Sequence, residues 1–242
     1  MLPPDLYLRV REKEQRLYAD NVVAALPDIT PDHPLSAEWR ARRRSLERLA
    51  AYLKDSAAQQ PARLLELGCG NGWLSHRLSA VPAWQIIGLD RLGPELRQAA
   101  RLFPAQRLSF LATDIFKPPF EEAAFNIIVV ASAIQYFSDL PGLIRSLGRL
   151  LKTDGELHLL DSPLYDADEV PAARKRTDDY YAALGFPEMA AHYFHHTFAE
   201  LRPFAPRWLY RPSAAPARLR AALGRPDSPF PWFAIGRNAS GN

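Results

Sequence analysis

Three carboxylates and three closely spaced glycines carry the strongest chemical signal in this chain. Glu66 stands just before Gly68-Cys69-Gly70-Asn71-Gly72. Glycine lacks the Cβ that would block both a sharp turn and the close approach of a ligand to the main chain. A carboxylate at Glu66 would repel a phosphate and suit a cationic group. Asp90 follows roughly twenty residues later, the spacing at which an acid accepts both hydroxyls of a ribose. Asp114 is a third acid of the same kind. Candidate general bases form a second set: Tyr136, Tyr165 and the run His192-Tyr193-Phe194-His195-His196. On a helix His192, His195 and His196 would share one face. No further ligand stands near them, so no metal is expected.

These residues need elements to position them. From Arg63 onward apolar runs alternate with helical spacing, the pattern of a parallel sheet with crossover helices. Strands are expected at 63–67, 84–90, 107–111, 126–131 and 156–161, so that Glu66, Asp90 and Asp114 fall at consecutive strand ends. Helices are expected at 72–80, from Pro94, at 141–151, near 171–184 and near 188–201. Arg207 to Arg211 and Trp232 to Gly236 can pair as a terminal hairpin. Ahead of the first strand, residues 5–25 read as one amphipathic helix, with Asp5 as N-cap and Leu6, Val10, Leu17 and Ala24 on one side. A second helix runs from Ser36 to about Leu53, with Leu46, Leu49 and Leu53 facing the sheet. Its Arg40, Arg42, Arg43 and Arg44 read as a solvated face.

Composition narrows the class. The chain has 242 residues, 48% hydrophobic and 24% charged, with a net charge of +3. That length holds one large α/β domain with a full core, or two small ones. The charge is too weak to imply nucleic acid. A single cysteine excludes an internal disulfide. The first twenty-five residues are charged throughout, so neither a signal peptide nor a membrane span is expected there. A cytoplasmic enzyme follows.

The glycines run G-x-G-x-G rather than the G-x-G-x-x-G of dinucleotide sites, where a helix N-terminus receives a pyrophosphate. With Glu66 before them, the pattern resembles motif I of the class I, Rossmann-like, S-adenosylmethionine (SAM)-dependent methyltransferases, over about 60–237. The resemblance implies an α/β fold with a seven-stranded, mostly parallel sheet, helices on both faces, a terminal antiparallel hairpin and an N-terminal helical cap. It implies a cap over 1–60 and a SAM-binding domain over 61–242, with 162–204 as a substrate-side insertion. Glu66, Gly68, Cys69, Gly70, Asn71 and Gly72 would form the cofactor turn, with Asp90 and Arg91 beside the ribose. Asp114 would accept from the adenine amino group, and the Ile115 amide would meet a ring nitrogen. Ala131 and Ser132 would line the methionine end, with Tyr136 facing the sulfonium. The catalytic candidates are Tyr136, His192 and His195.

No Asn/Asp-Pro-Pro-aromatic motif follows the fourth strand, which disfavours nucleobase N-methylation. Asp161-Ser162-Pro163-Leu164-Tyr165 looks similar but follows the fifth. The expected reaction is methyl transfer from SAM to a small-molecule acceptor, leaving S-adenosylhomocysteine, by a monomer or homodimer acting on neither nucleic acid nor membrane. Alternatives are a tRNA- or protein-modifying enzyme using the arginine face, a non-catalytic SAM-binding protein and an NAD(P)-dependent oxidoreductase.

Overall fold

Phe125-Asn126-Ile127-Ile128-Val129-Val130-Ala131 is a nearly continuous apolar run, as a strand covered on both faces must be. In the computed structural model it forms strand β4 (Phe125–Ala131), in the middle of a seven-stranded sheet. The structure describes residues 2–56, 62–91, 93–214 and 227–237. The other strands are β1 (Ala62–Leu67), β2 (Trp84–Asp90), β3 (Leu108–Ala112), β5 (Leu151–Leu160), β6 (Arg207–Tyr210) and β7 (Trp232–Gly236). Their order is β3-β2-β1-β4-β5-β7-β6. β1 to β5 are parallel, and β7 runs antiparallel between β5 and β6. The expected fold and its terminal hairpin are both present.

Chain order reverses between β1 and β4. At such a switch point the outgoing loops diverge and leave a crevice at the carboxyl ends of the strands.

Helices cover both faces: α1 (Pro4–Lys13), α2 (Asp20–Ala25), α3 (Ser36–Ser56), α4 (Trp73–Leu78), α5 (Pro94–Leu102), α6 (Leu140–Leu150), α7 (Val170–Leu184) and α8 (Phe198–Leu201). In α6, Leu140, Leu143, Ile144 and Leu147 repeat at helical spacing and are fully buried against β1, β4 and β5. Asp139 caps that helix by accepting from the Gly142 amide at 2.8 Å. The opposite face is packed by Leu49 and Leu53 of α3 with Leu74 and Leu78 of α4. α3 thus belongs to the core of the sheet domain. The expected boundary at 60/61 lies outside the described residues.

Three local expectations are corrected. Residues 5–25 form two helices, because the chain turns at Gln15, whose φ is +57°. Leu6 and Val10 are buried, whereas Leu17 is exposed and Ala24 points outward. Pro3, not Asp5, occupies the N-cap of α1. Residues 188–201 are not one helix: a 3-10 turn at Pro187–His192 gives way to extended chain, and α8 starts only after Thr197. Thr197 and Glu200 form a reciprocal capping box, which sets that start. Finally, β5 begins at Leu151, well before the expected start at 156, with an irregularity in its pairing to β4.

Candidate functional site

A cavity of about 1460 Å³ opens over the carboxyl ends of β1 to β5. β1 enters it through Gly68, Gly70 and Gly72, whose φ angles of +77°, +52° and +73° few side chains adopt. The three glycines do different work. A Cβ at Gly68 would stand 2.7 Å from the Ala133 methyl, and one at Gly72 2.6 Å from the Phe110 ring. These two are required by packing. At Gly70 the nearest atom is Glu95 Oε1 at 3.8 Å, and the residue faces the cavity. Gly70 is bare toward open space, as a cradle for a ligand must be.

The three strand-end acids surround this turn. Glu66 is buried, takes a hydrogen bond from Ser75 Oγ, and is pushed by burial to a pKa of about 8. Asp90 accepts from the Gly70 amide and the Arg91 amide, each at 2.7 Å. Burial raises its pKa as well. The Arg91 guanidinium donates to the Leu2 carbonyl at 2.6 Å. Asp114 accepts from the Phe116 amide at 3.0 Å, and Ile115 turns its side chain into the core. Cys69 is buried and Asn71 nearly so, and both line the cavity. On β4, Ala131 and Ser132 also line it. Gln135 is held through Nε2 to the Ser132 carbonyl at 2.8 Å. Its Oε1, buried at the cavity wall, has no donor among the described residues.

These features fit SAM. The orphaned Gln135 carbonyl can accept from a ligand N–H, and Gly70 admits a ligand to the main chain. Glu66 and Asp90 offer carboxylates to cationic and hydroxyl groups, with no ion pair to a basic side chain among the described residues. Among the described residues no group of three or more His, Cys, Asp or Glu could hold a metal.

The far half of the cavity is tyrosine-rich. Tyr136 lies between Tyr7 of α1 and Tyr193, with centroids 5.8 and 6.3 Å away and edge-on rings. Burial raises the pKa of Tyr7 and Tyr136 above the ordinary phenol value, so their hydroxyls stay protonated. In that state they can donate a hydrogen bond and are poor proton acceptors. Tyr7 and Glu95 both line the cavity and interact electrostatically, so α1 faces both the cofactor turn and the loop after β4.

His192 and His195 lie outside the cavity lining, and the extended chain around them removes the shared helical face. His195 bonds Thr177 at 2.9 Å and packs behind Tyr165 and Tyr193. His196 is buried and holds the loop after β4 through the Ile134 and Phe137 carbonyls at 3.1 and 2.9 Å. The arginine cluster is also not a single solvated face. Arg42 turns into the cavity, pairs with Glu38 at 2.8 Å and lies over Trp39, while Arg43 pairs with Asp28.

Sequence reasoning missed Arg11, Glu14, Glu95, Trp39 and Trp73, all in the cavity wall. A signal existed for two of them: Tyr7, Arg11 and Glu14 repeat at i, i+4 and i+7 on α1. Arg11 Nε is buried with no acceptor among the described residues.

Comparison with known proteins agrees with this geometry. Residues 64–155 match a family model described as a methyltransferase domain. Malonyl-[acyl-carrier protein] O-methyltransferase from Magnetococcus marinus is 36% identical over 115 residues, covering 46% of this chain and 42% of that protein. Demethylmenaquinone methyltransferase from Thermus thermophilus is 30% identical over 130 residues, covering 52% and 56%. The chain thus spans about half or less of the length of these relatives. Geranyl diphosphate C-methyltransferase from Streptomyces coelicolor, solved with Mg²⁺, geranyl diphosphate and S-adenosylhomocysteine, shares the fold at a TM-score of 0.57 and 16% identity, covering 98% of this chain and 100% of that one. The protein bound to the Trm112 methyltransferase activator of Haloferax volcanii does so at 0.60 and 14%, covering 98% and 99%. Residues 64–155 thus match a methyltransferase domain, within a seven-stranded α/β fold that solved methyltransferases share.

Proposed function

We propose that the protein transfers a methyl group from SAM to a small-molecule acceptor seated between α1 and the 162–204 segment. One observation carries this: a single cavity joins the Gly70–Asp90 turn to the tyrosine-walled space around Tyr136. In this reading Gly68 to Gly72, with Glu66, Asp90, Arg91, Asp114, Ile115, Ala131 and Ser132, holds the cofactor. When bound, SAM supplies an activated methyl whose C–S bond electrons return to sulfur, leaving S-adenosylhomocysteine. The protein's own task is alignment and exclusion of water. Tyr7, Tyr136 and Tyr193 close the acceptor side, Tyr136 as a donor, with His195 supporting the tyrosine wall from behind.

Arg42 turns inward onto Glu38, which weakens the reading of a tRNA- or protein-binding arginine face. No helix among the described residues is long and apolar enough to cross a membrane. In this reading the enzyme is cytoplasmic and works on a diffusible acceptor. Incubating the protein with methyl-labelled SAM and a small-metabolite extract tests the proposal. Label is expected in an acceptor product, and S-adenosylhomocysteine should bind in calorimetry. Absence of both rejects it.

A further inference from the structure

Beyond β4, on the side away from Glu66, Asp90 and Asp114, the carboxylate of Asp161 also lines the cavity. Asp161 is the first residue past β5, and it holds a φ of +54°. Its neighbour Ser132, first past β4, shares that value. Left-handed backbone at two adjacent non-glycine residues persists only where the surroundings over-determine it, and such positions cluster at functional sites. The surroundings do so here. Ser132 N donates to the Leu160 carbonyl at 3.0 Å, and Ser132 Oγ to the Asp161 carbonyl at 2.8 Å.

The Asp161 side chain is gripped from two distant parts of the chain. Ser45 Oγ of α3 donates to Oδ1 at 2.7 Å, and Ser228 Oγ donates to the same oxygen at 2.9 Å. Both serines are buried. Oδ2 receives no hydrogen bond from the described residues. The nearest cations, Arg42 and Arg48 on α3, are engaged elsewhere, Arg42 with Glu38 and Arg48 with Asp227. One oxygen of this carboxylate is therefore fixed, and the other is left to whatever enters the cavity.

We propose that Asp161 Oδ2 accepts a hydrogen bond from the nucleophile of the methyl acceptor and takes its proton, so that the acceptor is a hydroxyl or amine and not a carboxylate. This rests on the methyl-transfer reading of the cavity. As the heteroatom's lone pair forms the bond to the methyl carbon, the C–S bond electrons return to sulfur. The X–H bond electrons stay on the heteroatom, and the proton moves to Asp161 and then to water. Burial raises the proton affinity of Asp161, which suits a general base. A carboxylate acceptor would instead bring two like charges together.

The test compares wild type with Asp161→Asn, which keeps an oxygen for both serines. Three readouts are needed: S-adenosylhomocysteine binding by calorimetry, thermal unfolding, and label transfer from SAM to the metabolite extract. Expected are unchanged binding and unfolding with transfer reduced by about a hundredfold or more. The wild-type product should resist mild alkali and lose its label as methyl iodide in hydriodic acid, at the boil for an O-methyl group and on stronger heating of the hydriodide salt for an N-methyl group. Label released as methanol by alkali (a methyl ester), or label that survives the acid (a carbon–methyl bond), overturns the inference. So does unchanged transfer, or a loss of cofactor binding that matches the loss of transfer. Should Asp161→Asn fail to fold, Ser45→Ala removes one donor to the charged form, and the acidic limb of the rate profile must move to higher pH. An unmoved limb overturns the inference too. If wild type binds S-adenosylhomocysteine but labels nothing, the methyl-transfer reading itself has failed, and this inference with it.

Discussion

The Tyr7 ring meets the Tyr136 ring edge to face, with centroids 5.8 Å apart. This contact joins α1 to the loop after β4, across the opening of the cavity. Leu6 and Val10 extend the junction onto Tyr181 and Met189.

Removing residues 1–13 should therefore open the acceptor side without dismantling the sheet. The α1 contacts form a small cluster apart from the two that pack the sheet faces. Circular dichroism is expected to stay near that of the full chain, with methyl transfer reduced by about tenfold or more as water enters. A longer deletion through Ala25 is a poorer test. It would also remove Val23 from the core and the Ala25 carbonyl that Arg77 bonds at 3.0 Å. Transfer at the full-length rate by the shorter variant would refute the covering role.

The glycines should separate binding from stability. Gly70→Ala introduces only the left-handed penalty, about 1–2 kcal/mol, yet its methyl enters the ligand space. Gly72→Ala adds to that penalty an overlap with Phe110 and Ala99, about 1–3 kcal/mol more. Urea unfolding should rank Gly72→Ala as the less stable, while calorimetry with S-adenosylhomocysteine should find Gly70→Ala folded and poorly binding.

Asp90→Ala should cost about 1.5–3 kcal/mol of S-adenosylhomocysteine affinity, or ten- to over a hundredfold in Kd. It removes the acceptor of a charge-assisted pair to the ribose. It also releases the Gly70 amide, so part of the loss reflects a looser turn. An unchanged Kd would remove Asp90 from the cofactor site.

Glu66 sets a pH dependence with a defined sign. Its folded pKa of about 8 lies above the ordinary 4.5, so between those values the folded state holds more protons than the unfolded. Stability then falls as pH rises through that window and levels off above it. Glu66→Gln should flatten this component, since its amide oxygen still accepts from Ser75. Urea melts of both proteins at about pH 5 and about pH 8.5 check this. A cationic ligand beside Glu66 favours the ionised form, so binding near neutral pH should release protons in wild type and fewer in the variant.

Much of this site was legible from local pattern. Glu66, Asp90 and Asp114 sit at strand ends whose apolar runs are unmistakable, and glycine spacing specifies the turn between them. The single helix expected over 188–201 rests on apolar residues that mimic helical spacing, although Thr197-x-x-Glu200 marks where a helix begins. The inward turn of Arg42 depends on where α3 packs, and nothing within α3 distinguishes it from Arg43. Asp161 was visible as a look-alike motif on the wrong strand. Its environment was not, since Ser45 and Ser228 lie 116 and 67 residues away along the chain.

The seat of α1 also bears on how the protein is born. Residues 4–13 are translated well before Tyr181 and Met189, against which Leu6 and Val10 rest. At about 5–20 residues per second that wait is roughly ten to thirty seconds. During it the apolar side of this amphipathic segment has nowhere to dock. Until then Leu6 and Val10 stay uncovered, which makes this segment a ready target for a holding chaperone.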